Sequence, residues 1–208
     1  MQTGTRGGRK KISEAKHSAI LGAARRIFLA QGFTSAGMAE IARMADVSTA
    51  TLYKHFNSKE TLFIAVVTQT AQDAGDYSGL LDQDETARGI LDKVCRTYLN
   101  VQFDRETNAL MRIVIAEVPN APQLAREMYE VLGNRRNESL RELLEGMIAR
   151  GLLRPHDAAF GARLGSGLIK EFFVWPALFD ADYKLPLDTD EKIRRCIDAY
   201  LALYGPEK

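Results

Sequence analysis

The sequence predicts an all-α chain, and three observations support that fold class. Apolar residues recur at steps of three and four along most of the 208 residues, which is the period of a helix with one buried face. No run of strand length alternates apolar and polar residues, and no segment is repeated. With 46% hydrophobic residues, the chain can bury a substantial core, as one large domain or as a small domain and a larger one.

The first predicted helix has one apolar face and ends at a glycine. Ser13 can cap its start, and Gly32 is well placed to end it. We expect this helix to support the two short helices that follow. Its apolar face is formed by Ile20, Ala23, Ala24, Ile27 and Phe28.

Residues 36–63 predict two short helices separated by a tight turn. Asp46 can form a turn through its side chain, and Val47 is an apolar residue between the two helices. Ser48 can accept hydrogen bonds from the free amides of a new helix. This is the layout of a helix-turn-helix that reads DNA. The apolar stripe of the first short helix consists of Met38, Ile41, Ala42 and Ala45.

The second short helix has an outward face that contains no carboxylate. Leu52 and Phe56 stand four residues apart and must face inward. An Asp or Glu on the other face would be repelled by phosphate charge, so its absence favours a surface that lies against DNA. The outward residues are Thr49, Ala50, Thr51, Tyr53, Lys54 and His55.

Charge is distributed unevenly along the chain. Residues 1–63 contain ten Lys or Arg against four Asp or Glu, although the whole chain has a net charge of only +1. Such asymmetry favours one half that meets a polyanion and another that does not. We expect residues 1–12 to be a flexible arm that is either solvated or follows the DNA backbone or minor groove. Its basic residues are Arg6, Arg9, Lys10 and Lys11.

The second short helix and the residues after it carry a specific pattern, Leu52-Tyr53-x-His55-Phe56-x-Ser58-Lys59-Glu60-x-Leu62. Together with Ile41-Ala42, Val47-Ser48 and Gly32-Phe33, this pattern closely resembles the DNA-binding domain of the TetR-type bacterial repressors, over about residues 20–62. The rest of the chain matches that family in length and helical character.

The resemblance implies which residues contact DNA. Residues at Thr49, Thr51 and Lys54 would face base edges. Contacts to the DNA backbone are implied at Tyr53, His55 and Lys59. The remaining candidate DNA contacts are Ser35, Gly37, Ser48 and Ala50.

Two positions depart from the family pattern. Ala36-Gly37 stands where the family has hydroxyl residues that cap the second helix, so we expect the cap from Ser35 or Thr34. Asp46 stands where a turn glycine is common, and Asp accepts left-handed backbone angles better than most residues do.

Further helices follow the helix-turn-helix. Asn57 and Glu60 resemble a capping box that begins a fourth helix, which runs to about Ala74 and is followed by a loop from Gly75 to Glu85. Pro122 suits the first turn of a later helix. The expected helices lie at about 86–104, 107–118, 122–150, 157–179 and 190–204. The expected domains are the arm 1–12, a DNA-binding domain 13–58, and a ligand-binding and dimerisation domain 59–208.

The last two long helices have features that suggest a partner. Each glycine in the first of them weakens it by about 1 kcal/mol relative to Ala, which fits the close approach of another backbone. Packing within one chain also accounts for these features, whereas the resemblance implies a homodimer through a four-helix bundle. The glycines are Gly161, Gly165 and Gly167, and the apolar stripe of the last helix is Ile193, Ile197, Tyr200, Leu201 and Tyr204.

Large flexible or aromatic side chains are dense in the middle helices. Core packing accounts for them, but the resemblance implies that the same region encloses a pocket for a small molecule. Trp175 offers an apolar face and an indole donor just before Pro176. We therefore expect a repressor that an apolar or amphipathic effector releases from its operator. The candidate pocket residues are Tyr98, Phe103, Met111, Ile115, Met128, Phe172 and Trp175.

Other classes of function have little support. The three histidines are scattered, no Gly-rich phosphate loop exists, and no partner pattern surrounds the cysteines, so no enzyme, metal site or cofactor is expected. Cys95 and Cys196 are predicted to be buried thiols rather than redox sensors. No apolar run approaches the roughly 20 residues of a membrane span, and no signal peptide is visible, so we expect a cytoplasmic protein.

One alternative function stays open, a helical protein-interaction adaptor that does not bind DNA. Such an adaptor would not bind duplex DNA with a steep salt dependence.

Overall fold

The computed structural model describes residues 5–72, 77, 79–81, 86–103, 105–130, 133 and 135–207. Throughout these ranges the regular secondary structure is helical and contains no strand, as the sequence predicts. None of the helices within them is long and apolar enough to cross a membrane. The chain divides into two compact units, Met1–Gln69 with Ile113–Met128, and Thr70–Arg112 with Tyr129–Lys208.

The helices in chain order are α1 Thr5–Ser35, α2 Met38–Met44, α3 Thr49–His55, α4 Lys59–Gln72, α5 Ala87–Gln102, α6 Arg105–Ala116, α7 Pro122–Tyr129, α8 Arg135–Ala149, α9 Ala158–Ile169, α10 Trp175–Phe179 and α11 Thr189–Tyr204. A π-helical turn, Lys170–Val174, joins α9 to α10.

Helix α1 begins earlier than predicted. It starts at Thr5, so Ser13 lies inside the helix and does not cap it. The flexible arm is therefore wrong for residues 5–12, which contain no proline and are rich in the good helix formers Lys and Arg. Residues 1–4 of that arm lie outside the described residues. Gly32 has φ 77° and breaks α1 near its end, as predicted.

The turn between α2 and α3 agrees with its prediction, but the start of α2 does not. Ser48 caps α3, because its Oγ accepts a hydrogen bond from the N–H of Thr51 at 3.1 Å. Asp46 has φ 53°, the left-handed geometry expected of a residue in a glycine position. The N-cap of α2 is Gly37, and no side chain caps it, so the predicted cap from Ser35 or Thr34 is wrong.

The reciprocal cap of α4 lies one residue later than predicted. The N–H of Thr61 donates to Ser58 Oγ at 3.2 Å, and the N–H of Ser58 donates to Thr61 Oγ1 at 3.1 Å. This is the reciprocal hydrogen-bond pattern of a capping box, formed by Ser58 and Thr61 in place of the predicted Asn57 and Glu60. Most of the predicted loop Gly75 to Glu85 lies outside the described residues, as do residues 73 and 74 of the predicted helix.

Two predicted long helices are interrupted. Where one helix is predicted over 122–150, α7 ends at Tyr129 and α8 begins at Arg135, and the described residues between them, Glu130 and Gly133, are π-helical. In place of one helix over 157–179, the π-helical turn precedes Pro176. The proline has no N–H and its ring would clash with the carbonyl four residues earlier, so the wider turn accommodates it.

Each unit has its own apolar core. In the first unit, the ring centroid of Phe63 lies 4.9 Å from that of Phe28 and 5.2 Å from that of Phe33. The second unit buries residues of α5, α8, α9 and α11 in one cluster. Ile193, Ile197 and Tyr200 of the predicted last stripe belong to this cluster, so that stripe packs within its own chain.

Two glycines of α9, Gly161 and Gly165, lie against side chains of their own chain. A Cβ atom on Gly161 would lie 2.7 Å from the hydroxyl of Tyr200 and 2.6 Å from Nε2 of His156. The His156 ring stacks on Tyr204, with centroids 3.9 Å apart, and its Nε2 lies 3.3 Å from the Tyr200 hydroxyl. Gly161 therefore permits the loop before α9 to lock the end of α11 in place.

We expect Gly161→Ala to lower the free energy of unfolding by about 1–3 kcal/mol, because the added methyl group displaces Tyr200 and His156. Gly165→Ala is the matched control, since its Cβ atom would meet the Tyr200 ring at an ordinary 3.4 Å. The control should be neutral or stabilising through its higher helix propensity. Urea unfolding of both variants measures the difference. Equal changes in the free energy of unfolding would show that the close approach at Gly161 does not destabilise the alanine variant.

Candidate nucleic-acid interface

Helix α3 has the two-faced arrangement that the sequence predicts. Leu52 and Phe56 are buried, at 0% and 6% exposure. The opposite face contains no carboxylate and is formed by exposed Thr49, Ala50, Tyr53 and Lys54, with half-buried Thr51 and His55 beside them. An exposed surface of hydroxyl, amine and imidazole groups can donate to phosphates and base edges without charge repulsion.

Two hydroxyl groups are fixed at the start of α3. Ser48 Oγ lies 2.8 Å from Thr51 Oγ1 and also accepts from the N–H of Thr51. These bonds restrict the rotamers of both side chains. A hydroxyl group held in one position loses less entropy when it contacts DNA.

A histidine of α1 supports the end of α3. The His17 ring stacks on Phe56 with centroids 5.0 Å apart and an interplanar angle of 27°, and its centroid lies 5.8 Å from that of His55. No periodic pattern marks this contact in the sequence, because His17 is an exposed residue outside the apolar stripe of α1. It places the imidazole of His55 beside the outward face of α3.

Lys59 is engaged inside the first unit. Its Nζ donates to the carbonyl oxygens of Thr34 at 2.9 Å and Ala36 at 3.2 Å, and lies 4.7 Å from the centroid of the Phe33 ring. An ammonium group has three N–H donors, so these bonds account for two of them. The principal contacts of Lys59 therefore close the turn between α1 and α2.

The same turn is tied to the residue that follows α6. The hydroxyl of Thr34 donates to the carboxylate of Glu117, at 2.9 Å from Oε1 and 3.1 Å from Oε2. Glu117 is only 8% exposed. Sequence patterns did not reveal this pair, because the two residues are 83 positions apart and belong to no local motif.

Ser35 and Gly37 flank the uncapped start of α2, where Ser35 is exposed and Gly37 is half-buried. A Cβ atom on Gly37 would meet no other atom within 4 Å. The absence of a side chain at Gly37 leaves the backbone at this helix start open to approach.

The second unit contains a small apolar cavity. Its volume is about 50 Å³, which holds a few water molecules, whereas ligand sites usually measure about 300–1,000 Å³. Side chains must therefore move before a drug-sized molecule can enter. The lining includes Leu91, Val94, Cys95, Tyr98, Leu140, Leu144, Gly165, Ile169, Cys196 and Tyr200.

The structure does not gather the seven predicted pocket residues into one site. Tyr98 lines the apolar cavity, and Phe103 lines a separate cavity of about 40 Å³ with Tyr183. Ile115 and Met128 belong to the first unit. Tyr98 and Phe103 therefore line two different cavities, and a single pocket lined by all seven residues stays a prediction.

The remaining predicted pocket residues lie elsewhere in the second unit. Trp175 and Phe172 are 52% and 45% exposed, and the Trp175 ring stacks on that of Phe179, with centroids 6.3 Å apart. Neither Trp175 nor Phe172 lines the apolar cavity. The sulfur of Met111 instead accepts a hydrogen bond from Gln102 Nε2 at 3.6 Å.

A buried polar network lies beside the apolar cavity. Gln102 is fully buried, its Nε2 donates to Asn108 Oδ1 at 2.8 Å, and its Oε1 accepts from Nη1 of Arg136 at 3.1 Å. Gln102 stands four residues after Tyr98, on the buried stripe of α5. A polar residue on an apolar stripe was the signal that sequence reasoning missed.

Both cysteines are buried free thiols, as predicted. Burial raises the pKa of the Cys95 thiol to about 12 and also raises that of Cys196. The thiolate is the reactive form, so these thiols are inert near neutral pH. Among the described residues, no three His, Cys, Asp or Glu side chains are grouped to hold a metal ion.

Family comparisons match both parts of the chain. Residues 20–66 match the family described as bacterial regulatory proteins, tetR family. Residues 89–206 match the family described as AefR-like transcriptional repressor, C-terminal domain.

Individual proteins give the same result. A TetR-family transcriptional regulator from Mesorhizobium loti MAFF303099 is 31% identical, with a TM-score of 0.83 over 93% of this chain and 98% of its own. The flavonoid-responsive regulator FrrA is 27% identical, with a TM-score of 0.72 over 93% of this chain and 98% of its own. The HTH-type transcriptional activator FasR of Mycolicibacterium smegmatis is 41% identical over 64 residues, which span 31% of this chain and only 29% of FasR.

The hydrogen bonds of Lys59 predict that it contributes to stability, unlike Lys54. We expect Lys59→Met to lower the free energy of unfolding by about 1 kcal/mol, because two carbonyl groups lose a charged donor. Lys54→Met is the matched control and should change stability little, since Lys54 is exposed on the outward face of α3. Urea unfolding compares the two, and equal stability of both variants would contradict an internal role for Lys59.

Proposed function

Because the chain belongs to the TetR family of bacterial transcriptional regulators, we propose that it is a repressor that a small effector releases from its operator. Regulators of this family bind operator DNA, form dimers and carry ligand-binding C-terminal domains, and they are not enzymes. Because this family binds DNA, the alternative of a protein-interaction adaptor that does not bind DNA is not supported. Repression, the effector and the particular residues in contact with DNA are the proposed parts.

The observation that carries the DNA-binding surface is the carboxylate-free outward face of α3. Thr49, Thr51 and Lys54 are the proposed contacts to base edges, and Tyr53 and His55 the proposed contacts to phosphates. Lys59 has one N–H beyond its two internal bonds for a phosphate. The remaining proposed contacts flank these residues or the start of α2: Ser35, Gly37, Ser48 and Ala50.

The lengths of the segments that match a repressor family and an activator favour repression over activation. The family described as a repressor is matched over residues 89–206, most of the second unit. The activator FasR is matched over 64 residues only. A repressor needs only to occupy its operator, which a helix-turn-helix dimer does without a further contact surface.

A homodimer through α9, α10 and α11 is supported by the apolar side chains that these helices leave exposed. Phe160, Phe172, Trp175 and Phe179 are between 45% and 85% exposed, and Leu203 of α11 is 55% exposed. Exposed apolar surface of this kind often marks a protein–protein interface. The buried stripe of Ile193, Ile197 and Tyr200 is used within the chain, so this exposed set is the proposed interface.

The proposed effector site is the apolar cavity of the second unit, enlarged by movement of its walls. FrrA, a structural relative of 27% identity, is named as responsive to a flavonoid. That name supports a small-molecule response here and does not identify the molecule. The starting volume of about 50 Å³ means that the ligand must favour a conformation more open than this one.

Two variants of α3 test the roles proposed for DNA. Lys54→Ala should change the preferred sequence among duplexes selected from fragmented genomic DNA, with about 1–3 kcal/mol lost at the base it contacts. Tyr53→Phe should weaken binding to selected and random duplexes alike, because it removes a hydroxyl assigned to phosphate. If Tyr53→Phe instead changed the preferred DNA sequence and left the affinity for random duplexes intact, Tyr53 would contact a base and not a phosphate.

The dimer is tested by placing a charge on the exposed apolar surface. We expect wild type to sediment as a dimer at micromolar concentration and Phe172→Glu to sediment as a monomer that has lost tight operator binding. Tyr129→Glu is the matched control, because Tyr129 is 69% exposed and belongs to α7, which is not one of the helices of the proposed interface. A monodisperse wild-type monomer would refute the homodimer.

A two-fold dimer also fixes the operator geometry. Its half-site centres should lie one helical turn apart, ~34–36 Å, or a multiple of that distance. Footprinting of selected operators gives this spacing directly.

A further inference from the structure

The second unit contains a half-buried arginine, Arg136, for which no ion pair is found among the described residues. Nη1 of Arg136 donates to Gln102 Oε1 at 3.1 Å, and the guanidinium lies 5.4 Å from the centroid of the Tyr98 ring. Its Nε is buried and has no hydrogen-bond partner. A buried N–H of a charged group that lacks a hydrogen-bond partner is costly, even where the rest of the side chain reaches solvent.

A second cation increases the positive potential at this place. Lys170 is half-buried, and burial together with the charges of Arg136 and Arg163 lowers its pKa. The ion pairs found among the described residues include neither Arg136 nor Lys170. Positive charge that is not paired with a carboxylate among the described residues favours the binding of an anion.

Neutral polar groups lie beside Arg136. Gln102 and Asn108 are buried beside Arg136 and are joined to each other. Unsatisfied buried donors are rare in native proteins and call for a ligand or an ordered water molecule.

The cluster adjoins the apolar cavity through one side chain. Tyr98 lines that cavity, and the face of its ring meets Arg136. An amphiphile could therefore place its polar end at Arg136 and its apolar part in the cavity. A guanidinium with a free Nε matches the planar geometry of a carboxylate, which can accept from Nε and one Nη together.

We propose that Arg136, assisted by Lys170, binds the carboxylate of the effector, and that the effector is a carboxylic acid with an apolar tail. This inference rests on the proposed function only in taking the second unit as the effector-binding part. It gives Arg136 a direct contact with the ligand, and gives Gln102 the role of positioning the guanidinium.

The experiment is calorimetry on the full chain without DNA, using straight-chain acids from hexanoate to dodecanoate below their micelle concentrations. Each acid is compared with its primary amide, which has nearly the same shape and no charge. We expect the best acid to bind at least about tenfold more tightly than its amide, because charge-assisted hydrogen bonds are lost in the amide.

Variants then assign the preference to Arg136. Arg136→Gln should abolish the difference between acid and amide while the amide still binds, a result that a merely structural role would not give. Arg136→Lys should keep part of the difference. Arg194→Gln is the matched control, because Arg194 is exposed on α11 and should leave the difference unchanged.

Three outcomes would overturn the proposal. The first is that every acid binds no more tightly than its amide, or that neither binds. The second is that Arg136→Gln keeps the preference for acid over amide. The third is that inorganic phosphate binds at Arg136 and the acids do not. Operator affinity is measured separately with the best acid. An intact acid preference without any change in operator affinity would instead refute release by an effector and leave the carboxylate site standing.

Discussion

The hydrogen bonds from Lys59 to the carbonyl oxygens of Thr34 and Ala36 hold the turn on which the DNA-binding surface depends. Gly32 interrupts α1 with φ 77°, so the carbonyls after it are not used by a regular helix. The ammonium group at the start of α4 satisfies two of them. Because α2 follows this turn directly and packs against α3, the position of the outward face of α3 depends on a lysine that sequence reasoning assigned to DNA alone.

Glu117 extends this constraint to a third segment of the chain. It accepts from the Thr34 hydroxyl, so the residue after α6 meets the turn between α1 and α2. Helices α4 and α6 each have residues in both compact units, since the boundaries fall at Gln69 and at Arg112. Lys59 at the start of α4 and Glu117 just after α6 therefore contact the same hydrogen-bonded turn.

Local patterns predicted most of the fold. The periods of α2 and α3, the Ser48 cap, the left-handed Asp46 and the end of α1 at Gly32 are all set by residues within a few positions of one another, so they could be inferred from the sequence alone. The start of α1 was misplaced because a Gly- and Lys-rich segment is compatible with both arm and helix. Pro176 cannot continue a regular α-helix, and in the structure a π-helical turn before it accommodates the proline.

Long-range packing could not be predicted in the same way. The seven candidate pocket residues share large side chains, yet hydrophobicity does not distinguish a cavity wall from an exposed apolar surface. Trp175 illustrates this, because its features suit a pocket and an interface equally, and only its 52% exposure shows that it is not in the core. Arg136 and Gln102 form part of the candidate effector site but lie far apart in sequence, so no spacing rule joins them.

The small cavity and the unpaired cations together define the energetics of a switch. A ligand shifts an equilibrium only by its difference in affinity for two conformations, and a coupling of about 1–3 kcal/mol changes operator affinity 5–150-fold. Opening a packed cavity costs free energy and reduces apparent ligand affinity by the fraction of molecules that are open. Under the proposal of a carboxylate bound at Arg136, the anion would offset the positive charge of Arg136 and Lys170. Anionic ligands would then recover part of the free-energy cost of opening, whereas uncharged ligands would not.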